Sequence, residues 1–186
     1  VEAEEAAARR RSNRDLVEIR LETVFDSLFR RKGVSPPAAL IQTVGQMFRA
    51  CSTDWAEAYP GAAALLEDLR AAGKGVYLLS NAQRVFTQPE LEMTGLLDRF
   101  DAIRISSDWG VKKPDPAYFR TLLDRLQLPP HQVLMVGNSA RDDMAPARAL
   151  GLRTCYLNTD AEPVCPACDL ALDGADYAAL RRALLG

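Results

Sequence analysis

The stretch that decides the fold is VLMVGNSARDDMAPARALG, residues 133–151. Its apolar residues 133–136 predict a buried parallel strand, and Gly137-Asn138-Ser139 ends that strand. Residues 142–150 then have the Ala, Arg and Leu content of a helix. Ligands bind at the carboxyl ends of the strands in an open α/β sheet, so this turn is the first candidate for a binding or catalytic site.

Strand and helix patterns alternate on both sides of this stretch, as is typical of a doubly wound parallel α/β sheet. The predicted strands are 75–79, 101–105, 132–136, 153–157 and 169–172. The predicted helices between and around them are 62–72, 83–95, 116–127, 142–150 and 175–185. Ahead of them, residues 2–32 are helical in pattern and a further helix spans 37–50. We therefore expect a helical region at 1–57 and a Rossmann-like core at 58–186.

Composition limits the class of protein. The 186 residues are 48% hydrophobic and carry a net charge of -2, which predicts a soluble globular domain with a sizeable core. The 23 Lys and Arg nearly balance the 25 Asp and Glu, so nucleic acid is not an expected partner. No apolar run approaches the roughly 18 residues of a membrane span. The charged N-terminus is unlike a signal peptide, and we expect a cytoplasmic location.

Four cysteines occur, at 51, 155, 165 and 168, and only Cys165 and Cys168 form a Cys-x-x-Cys pair. The pair lacks the further cysteines or histidines of a four-coordinate zinc site, since His131 is the only histidine. A thioredoxin-like pair would precede a helix, whereas this pair lies in a predicted loop. We expect reduced thiols and assign them no role.

Polar side chains follow three of the predicted strands, at the edge where parallel strands end. A hydroxyl, an amide, a lysine and carboxylates suit an anion held beside a divalent metal. Taken singly, each has a simpler explanation as a helix cap, a surface charge or a helix-dipole partner. The candidate residues are Ser80, Asn81, Lys113, Asn138, Asp142 and Asp143.

Three segments together resemble the haloacid dehalogenase superfamily of hydrolases. GKGVYLLSN (73–81) resembles its second motif, GVKKPDPAYF (110–119) its third, and residues 136–151 its fourth. The resemblance implies that Ser80 binds a phosphoryl group, that Asn81 orients it and that Lys113 pairs with nucleophile and phosphate. It also implies that the helices of residues 14–55 are a cap, which would exclude water and select the substrate.

The same resemblance implies a Mg²⁺-dependent phosphatase that acts on a small phosphomonoester through an aspartyl-phosphate. Asp143 matches the family's acidic residue tied to Mg²⁺, and Asn138 stands where many members have an aspartate. An amide is a weaker Mg²⁺ ligand than a carboxylate, which lowers the expected affinity. Asp142 is a further candidate ligand, although a carboxylate at a helix start is commonly there for the dipole.

The family's first motif, an apolar strand that ends in Asp-x-Asp-x-Thr, is absent from residues 1–186. The resemblance implies that this strand is central in the sheet, between those predicted at 75–79 and 132–136, and that it carries the nucleophile. Leaving both neighbours with unpaired backbone groups would cost about 1–3 kcal/mol for each buried group. We expect the sequence to be a piece of a longer protein; otherwise another segment or a partner fills the slot.

Two other functions stay open. Hydrolysis of 2-haloacids uses the same aspartate nucleophile without a metal, and Ser80, Asn81 and Lys113 fit it equally well. Asp142 and Asp143 favour the metal-dependent phosphatase. Alternatively, the chain is a catalytically silent module that binds a phosphorylated ligand, Mg²⁺ or a protein partner. The sequence does not indicate the oligomeric state or the substrate.

Overall fold

A computed structural model describes residues 1–12, 16–162 and 166–186. The helices are α1 (Glu2–Ser12), α2 (Leu21–Arg31), α3 (Ala38–Cys51), α4 (Ala62–Ala71), α5 (Arg84–Met93), α6 (Ser106–Trp109), α7 (Pro116–Leu126), α8 (Ala145–Ala149) and α9 (Tyr177–Leu185). The strands are β1 (Tyr77–Ser80), β2 (Ala102–Ile105), β3 (Leu134–Gly137), β4 (Arg153–Asn158) and β5 (Leu170–Asp173). Strands alternate with helices from β1 to β4, and no helix is described between β4 and β5; this order confirms the predicted α/β fold class.

The predicted helical run over 2–32 is wrong in its middle. Residues 16–20 are not helical, and Val17 forms an antiparallel bridge with Val111. Val17 and Ile19 are buried at 2% and 8% exposure, because alternate residues of an extended segment point to the same side. Burial of this short strand-like segment against the core overrides the helical spacing of its apolar residues. Residues 13–15, which the same prediction included, lie outside the described residues.

The N-terminal helices pack on each other and on α5. Phe25 of α2 contacts Phe48 of α3 with ring centroids 5.9 Å apart, and Phe48 stacks on Phe86 of α5 at 6.4 Å. Gly45 lets α3 approach α5 closely, since a Cβ at this position would lie 2.8 Å from a methyl group of Val85. The helical region is thus anchored to the helix that follows β1. The division between residues 57 and 58 stays a prediction.

The strands form two parallel sheets. β1 pairs with β2, with Tyr77 opposite Ala102, whereas β4 lies between β3 and β5. Within the residues that the structure describes, β1 and β3 each have a single strand partner. All residues of these two strands are partly buried, whereas Thr154 to Leu157 of β4 are buried.

Helices cover both faces of the strands. On one face, α4 and α9 pack against the three-stranded sheet through Leu65 and Leu180, which contact Leu157. On the other face, α7 and α8 contribute Phe119 and Ala147 to a second cluster. This layering is that of a doubly wound fold, as predicted.

The two sheets share these helix layers. Leu79 of β1 and Met135 of β3 both pack against the cluster that contains Phe119. On the opposite face, α4 packs on β3 and also reaches the other sheet, since Arg70 donates to the Asp98 carbonyl ahead of β2. β1 and β3, each with a single strand partner among the described residues, therefore lie on the same helix layer formed by α7 and α8.

Element boundaries differ from the predictions by one or two residues at the strands. The larger difference is at the predicted helix 142–150, where a π-helical turn (Ala140–Met144) precedes the short α8. Short 3₁₀ turns at Leu97–Arg99 and Pro130–Gln132 lead into β2 and β3.

Candidate active site

The end of β1 is fixed by two hydrogen-bonded side chains. The Tyr118 hydroxyl lies 2.8 Å from the carbonyl oxygens of both Ser80 and Arg104, so it joins β1 to β2. Burial of this phenol raises its pKa well above the ordinary value, which keeps the hydroxyl protonated. Asn81 binds one residue twice: its Nδ2 donates to the Lys113 carbonyl at 3.0 Å, and its Oδ1 accepts from the Lys113 amide at 2.8 Å.

Lys113 connects the end of β1 to the turn after β3. Its Nζ donates to Asp143 Oδ1 at 2.6 Å, and the two side chains are only 11% and 5% exposed. The second Asp143 oxygen, Oδ2, accepts from the Ser139 amide at 3.1 Å. Glycine is required at Gly137 because a Cβ there would overlap the Asp143 carboxylate. Lys113 and Asp143 thus form a buried, hydrogen-bonded ion pair at the junction of the two sheets.

The π-helical turn separates the two neighbouring aspartates. Ser139 caps it, with Oγ accepting from the Asp142 amide at 3.0 Å. The Ser139 carbonyl accepts from two successive amides, those of Asp143 and Met144, each at 3.0 Å. As a result Asp143 points inward at 3% exposure, while the Asp142 side chain is 35% exposed and lies 3.8 Å from Arg141.

A cavity of about 350 Å³ opens beside this ion pair. Of the predicted site residues, the structure brings Asn81, Lys113 and Asp142 to its wall. Asp143 lies behind Lys113. Ser80 lies next to Asn81, and Asn138 is exposed, with Nδ2 donating to Thr159 Oγ1 at 2.9 Å. The remaining polar lining of the cavity comes from Glu18, Lys112 and Arg141.

Glu18 is a site residue that the sequence analysis missed. Its Oε2 accepts from Ser106 Oγ at 3.0 Å, and its Oε1 accepts from Gln83 Nε2 at 3.2 Å. Gln83 Oε1 in turn accepts from the amide of Leu21, the first residue of α2. The alternation of Val17, Glu18 and Ile19 is the signal that could have placed this carboxylate on an extended segment facing the core.

The three predicted metal ligands lie within one turn after β3. Asp142 and Asp143 supply carboxylate oxygens, and Asn138 supplies an amide oxygen. Hard oxygen donors of this kind fit Mg²⁺. Among the described residues, no group of three or more His, Cys, Asp or Glu side chains is placed to hold a metal. Lys113 already neutralises Asp143, which makes Asp142 the more accessible carboxylate.

None of the three described cysteines, at positions 51, 155 and 168, lines the cavity. Cys155 is buried in β4, and burial raises the pKa of its thiol to about 11. Cys168 is partly buried ahead of β5. Cys165, the other half of the Cys-x-x-Cys pair, lies outside the described residues. In the parts of the chain that the structure describes, no helix combines the length and the apolar character needed to span a bilayer.

The chain is similar to known hydrolases. A family model described as haloacid dehalogenase-like hydrolase matches residues 4–151. The pyrimidine 5'-nucleotidase YjjG of Escherichia coli (strain K12) is 34% identical over 135 residues, which are 72% of this chain and 57% of that protein. The (S)-2-haloacid dehalogenase 4A of Burkholderia cepacia is 34% identical over 106 residues, which are 57% of this chain and 46% of that protein.

A solved structure has the same fold. The magnesium-bound crystal structure of the HAD-hydrolase YfnB from Bacillus subtilis superposes with a TM-score of 0.66 at 25% identity, covering 89% of this chain and 71% of that one. The chain spans about half the length of the curated relatives that it matches.

Proposed function

Because this chain belongs to the haloacid dehalogenase-like hydrolases, we propose that it carries the phosphate-binding and metal-binding half of an active site that hydrolyses small phosphomonoesters. The observation that carries the proposal is the buried Lys113–Asp143 ion pair beside a cavity lined by Asn81 and Asp142. A buried lysine held in place by a carboxylate and a backbone clamp is suited to an anion that enters the cavity.

The reacting carboxylate is proposed to come from a further parallel strand between β1 and β3. Two observations support this: β1 and β3 each have one strand partner among the described residues, and both pack against the cluster that contains Phe119 of α7. A strand buried in this way would be apolar and would satisfy the unpaired backbone groups of both neighbours. Its carboxyl end would lie at the same edge as Asn81 and Lys113, where the resemblance to the family places an aspartate.

In this mechanism the aspartate attacks phosphorus and the bond from phosphorus to the leaving alcohol oxygen breaks. The alcohol takes up a proton, and water then hydrolyses the aspartyl-phosphate to release inorganic phosphate. Lys113 neutralises charge on the phosphoryl oxygens, while the Ser80 hydroxyl donates to them. Asn81 holds the Lys113 backbone, and Asp143 fixes the Lys113 ammonium group.

Magnesium is proposed as the cofactor, held by Asp142 and Asn138 with Asp143 as the inner carboxylate. When bound, it supplies positive charge to the phosphoryl oxygens of the substrate. The YfnB structure contains magnesium, which supports the assignment by analogy. The helical region 1–57 is proposed as the cap over the site, and residues 14–55 would select the substrate.

Hydrolysis of 2-haloacids is the second candidate, because a relative at 34% identity bears the name of a haloacid dehalogenase. Lys113 and Asn81 would serve that reaction too. Asp143 holds Lys113 in either reaction, but the further oxygen donors at Asn138 and Asp142 suit a metal ion and favour the phosphatase.

The test is phosphate release from a panel of small phosphomonoesters by the 186-residue chain, with Mg²⁺ and with chelator. If the chain's own residues suffice, turnover requires Mg²⁺, is lost in Asp143→Asn and is kept in Asp124→Asn, an exposed carboxylate on α7. If the proposed strand between β1 and β3 has to come from outside these 186 residues, the chain gives no turnover but binds orthophosphate saturably. Halide release from 2-chloropropionate in chelator would support the dehalogenase. A folded chain that neither turns over nor binds phosphate or Mg²⁺ would overturn the proposal.

A further inference from the structure

Glu18 places a carboxylate on the wall of the cavity that holds the proposed anion-binding residues. We propose that Glu18 is a specificity residue, which selects phosphomonoesters whose leaving group carries an ammonium or hydroxyl donor a few atoms from the phosphate. This inference rests on the proposed function, because it takes the phosphate to lie against Lys113.

The position of Glu18 is fixed from two directions. Its backbone amide donates to the Gly110 carbonyl at 3.1 Å, next to the bridge between Val17 and Val111. Val111 directly precedes Lys112 and Lys113, so the bridge fixes the position of Glu18 relative to the two lysines. Its side chain is held at the same time by Ser106, which is fully buried, and by Gln83. A carboxylate held this firmly loses little conformational entropy when a ligand binds.

The described groups that donate to the Glu18 carboxylate are neutral. They are the Ser106 hydroxyl, the Gln83 amide and the Ile19 backbone amide. Hydrogen bonds from neutral donors stabilise the carboxylate and leave its negative charge acting on the cavity. The cations of the same wall are Lys112, Lys113 and Arg141, and the buried one, Lys113, is already paired with Asp143.

This arrangement has a consequence for the ligand. A phosphate with an alkyl leaving group would bring an anion near Glu18 without offering it a donor, and repulsion would weaken binding. A leaving group with an ammonium or hydroxyl would place a proton donor between the two anions. The carboxylate would then accept a charge-assisted hydrogen bond, which is roughly twice as strong as a neutral one.

The experiment compares the affinities of three ligands for the full chain by calorimetry. 2-Aminoethyl phosphate and n-propyl phosphate have the same number of heavy atoms and differ in the terminal ammonium or methyl group. Orthophosphate reports the anion site alone. We expect the wild type to bind 2-aminoethyl phosphate about tenfold or more tighter than n-propyl phosphate, as a hydrogen bond to a charged group implies. Glu18→Gln should bring that ratio close to one.

A matched variant separates selection from simple structural support. Lys112→Met should weaken all three ligands by similar factors and keep the wild-type ratio. If Glu18→Gln weakens every ligand equally, Glu18 has only a structural role and the inference is wrong. A ratio near one in the wild type, with orthophosphate bound, overturns the inference and leaves the proposed function standing. Failure of orthophosphate to bind a folded chain overturns the inference, and the proposed function falls with it only if turnover and Mg²⁺ binding fail as well.

Discussion

The strands β4 and β1 are both parallel strands of one doubly wound core, yet their surroundings differ. β4 lies between β3 and β5, and its residues from Thr154 to Leu157 are at most 6% exposed. β1 pairs with β2 alone among the described strands, and each of its residues is partly exposed. The difference shows that an apolar strand stays partly exposed where it has a single described strand partner, since the sequence of β1 is as apolar as that of β4.

Removal of the Lys113–Asp143 ion pair, which joins the two sheets, gives the largest expected loss of stability. Asp143→Ala leaves the Lys113 ammonium buried without its partner, which should reduce the free energy of unfolding by about 3–5 kcal/mol. Urea denaturation followed by circular dichroism measures the loss. Asp142→Ala is the matched control, because that side chain is partly exposed and its removal should change stability by no more than about 0.5 kcal/mol. Equal losses in the two variants would show that the ion pair does not join the sheets.

Truncation of one leucine in each sheet compares the burial of β4 and β1 directly. Leu157→Ala in β4 removes a side chain that is 6% exposed in the larger core cluster, and we expect a loss of about 2–5 kcal/mol. Leu79→Ala in β1 removes a partly buried side chain and should cost about 1–2 kcal/mol. The same unfolding experiment gives both values. A larger loss at Leu79 would contradict the assignment of β1 as the less buried strand.

The smallest effect concerns the acid stability of the three-stranded sheet. Asp169 Oδ2 accepts from the amide and the hydroxyl of Thr154, at 2.7 and 2.9 Å, and these hydrogen bonds hold the carboxyl pKa below its ordinary value. A lowered folded pKa stabilises the fold above the unfolded value of about 3.9, and this stabilisation is lost as the pH falls through the folded pKa. Asp169→Asn should therefore lower stability at neutral pH and flatten the acid decline.

Unfolding midpoints between pH 7 and pH 2 test this prediction, and Thr154→Val serves as the partner variant. The two substitutions remove parts of the same contact, so their effects should be less than additive. An Asp169→Asn profile parallel to that of the wild type would exclude the contact as the source of acid sensitivity.

The alternation of strands and helices could be predicted from the sequence because each element has its own apolar period. The segment around Val17 could not, since its apolar residues also fit helical spacing and only the bridge to Val111 decides between the two. Glu18 was missed for the same reason: on a helix it would be one of many surface charges. The sequence also could not indicate the π-helical turn, which turns Asp143 inward and leaves Asp142 at the cavity.

The candidate site was predicted in part. Asn81 and Lys113 were placed at one sheet edge from their position after apolar strands, and the structure brings them into contact. Their partner Asp143 is paired with Lys113 in the structure, and its predicted role as a metal ligand stays a prediction. Spacing along the chain gives the edge on which residues lie, but not which of several nearby charges pair.

The central claim is that Lys113 binds the anion. Its most direct test is the affinity of orthophosphate for the wild type, Lys113→Met and Lys112→Met, measured by calorimetry or by phosphorus NMR titration. If Lys113 is the anion-binding group at the junction of the two sheets, the wild type binds saturably and Lys113→Met loses tenfold or more in affinity. Lys112→Met, one residue away on the same cavity wall, loses clearly less. Equal losses in the two variants, or no binding by a folded wild type, would contradict the account.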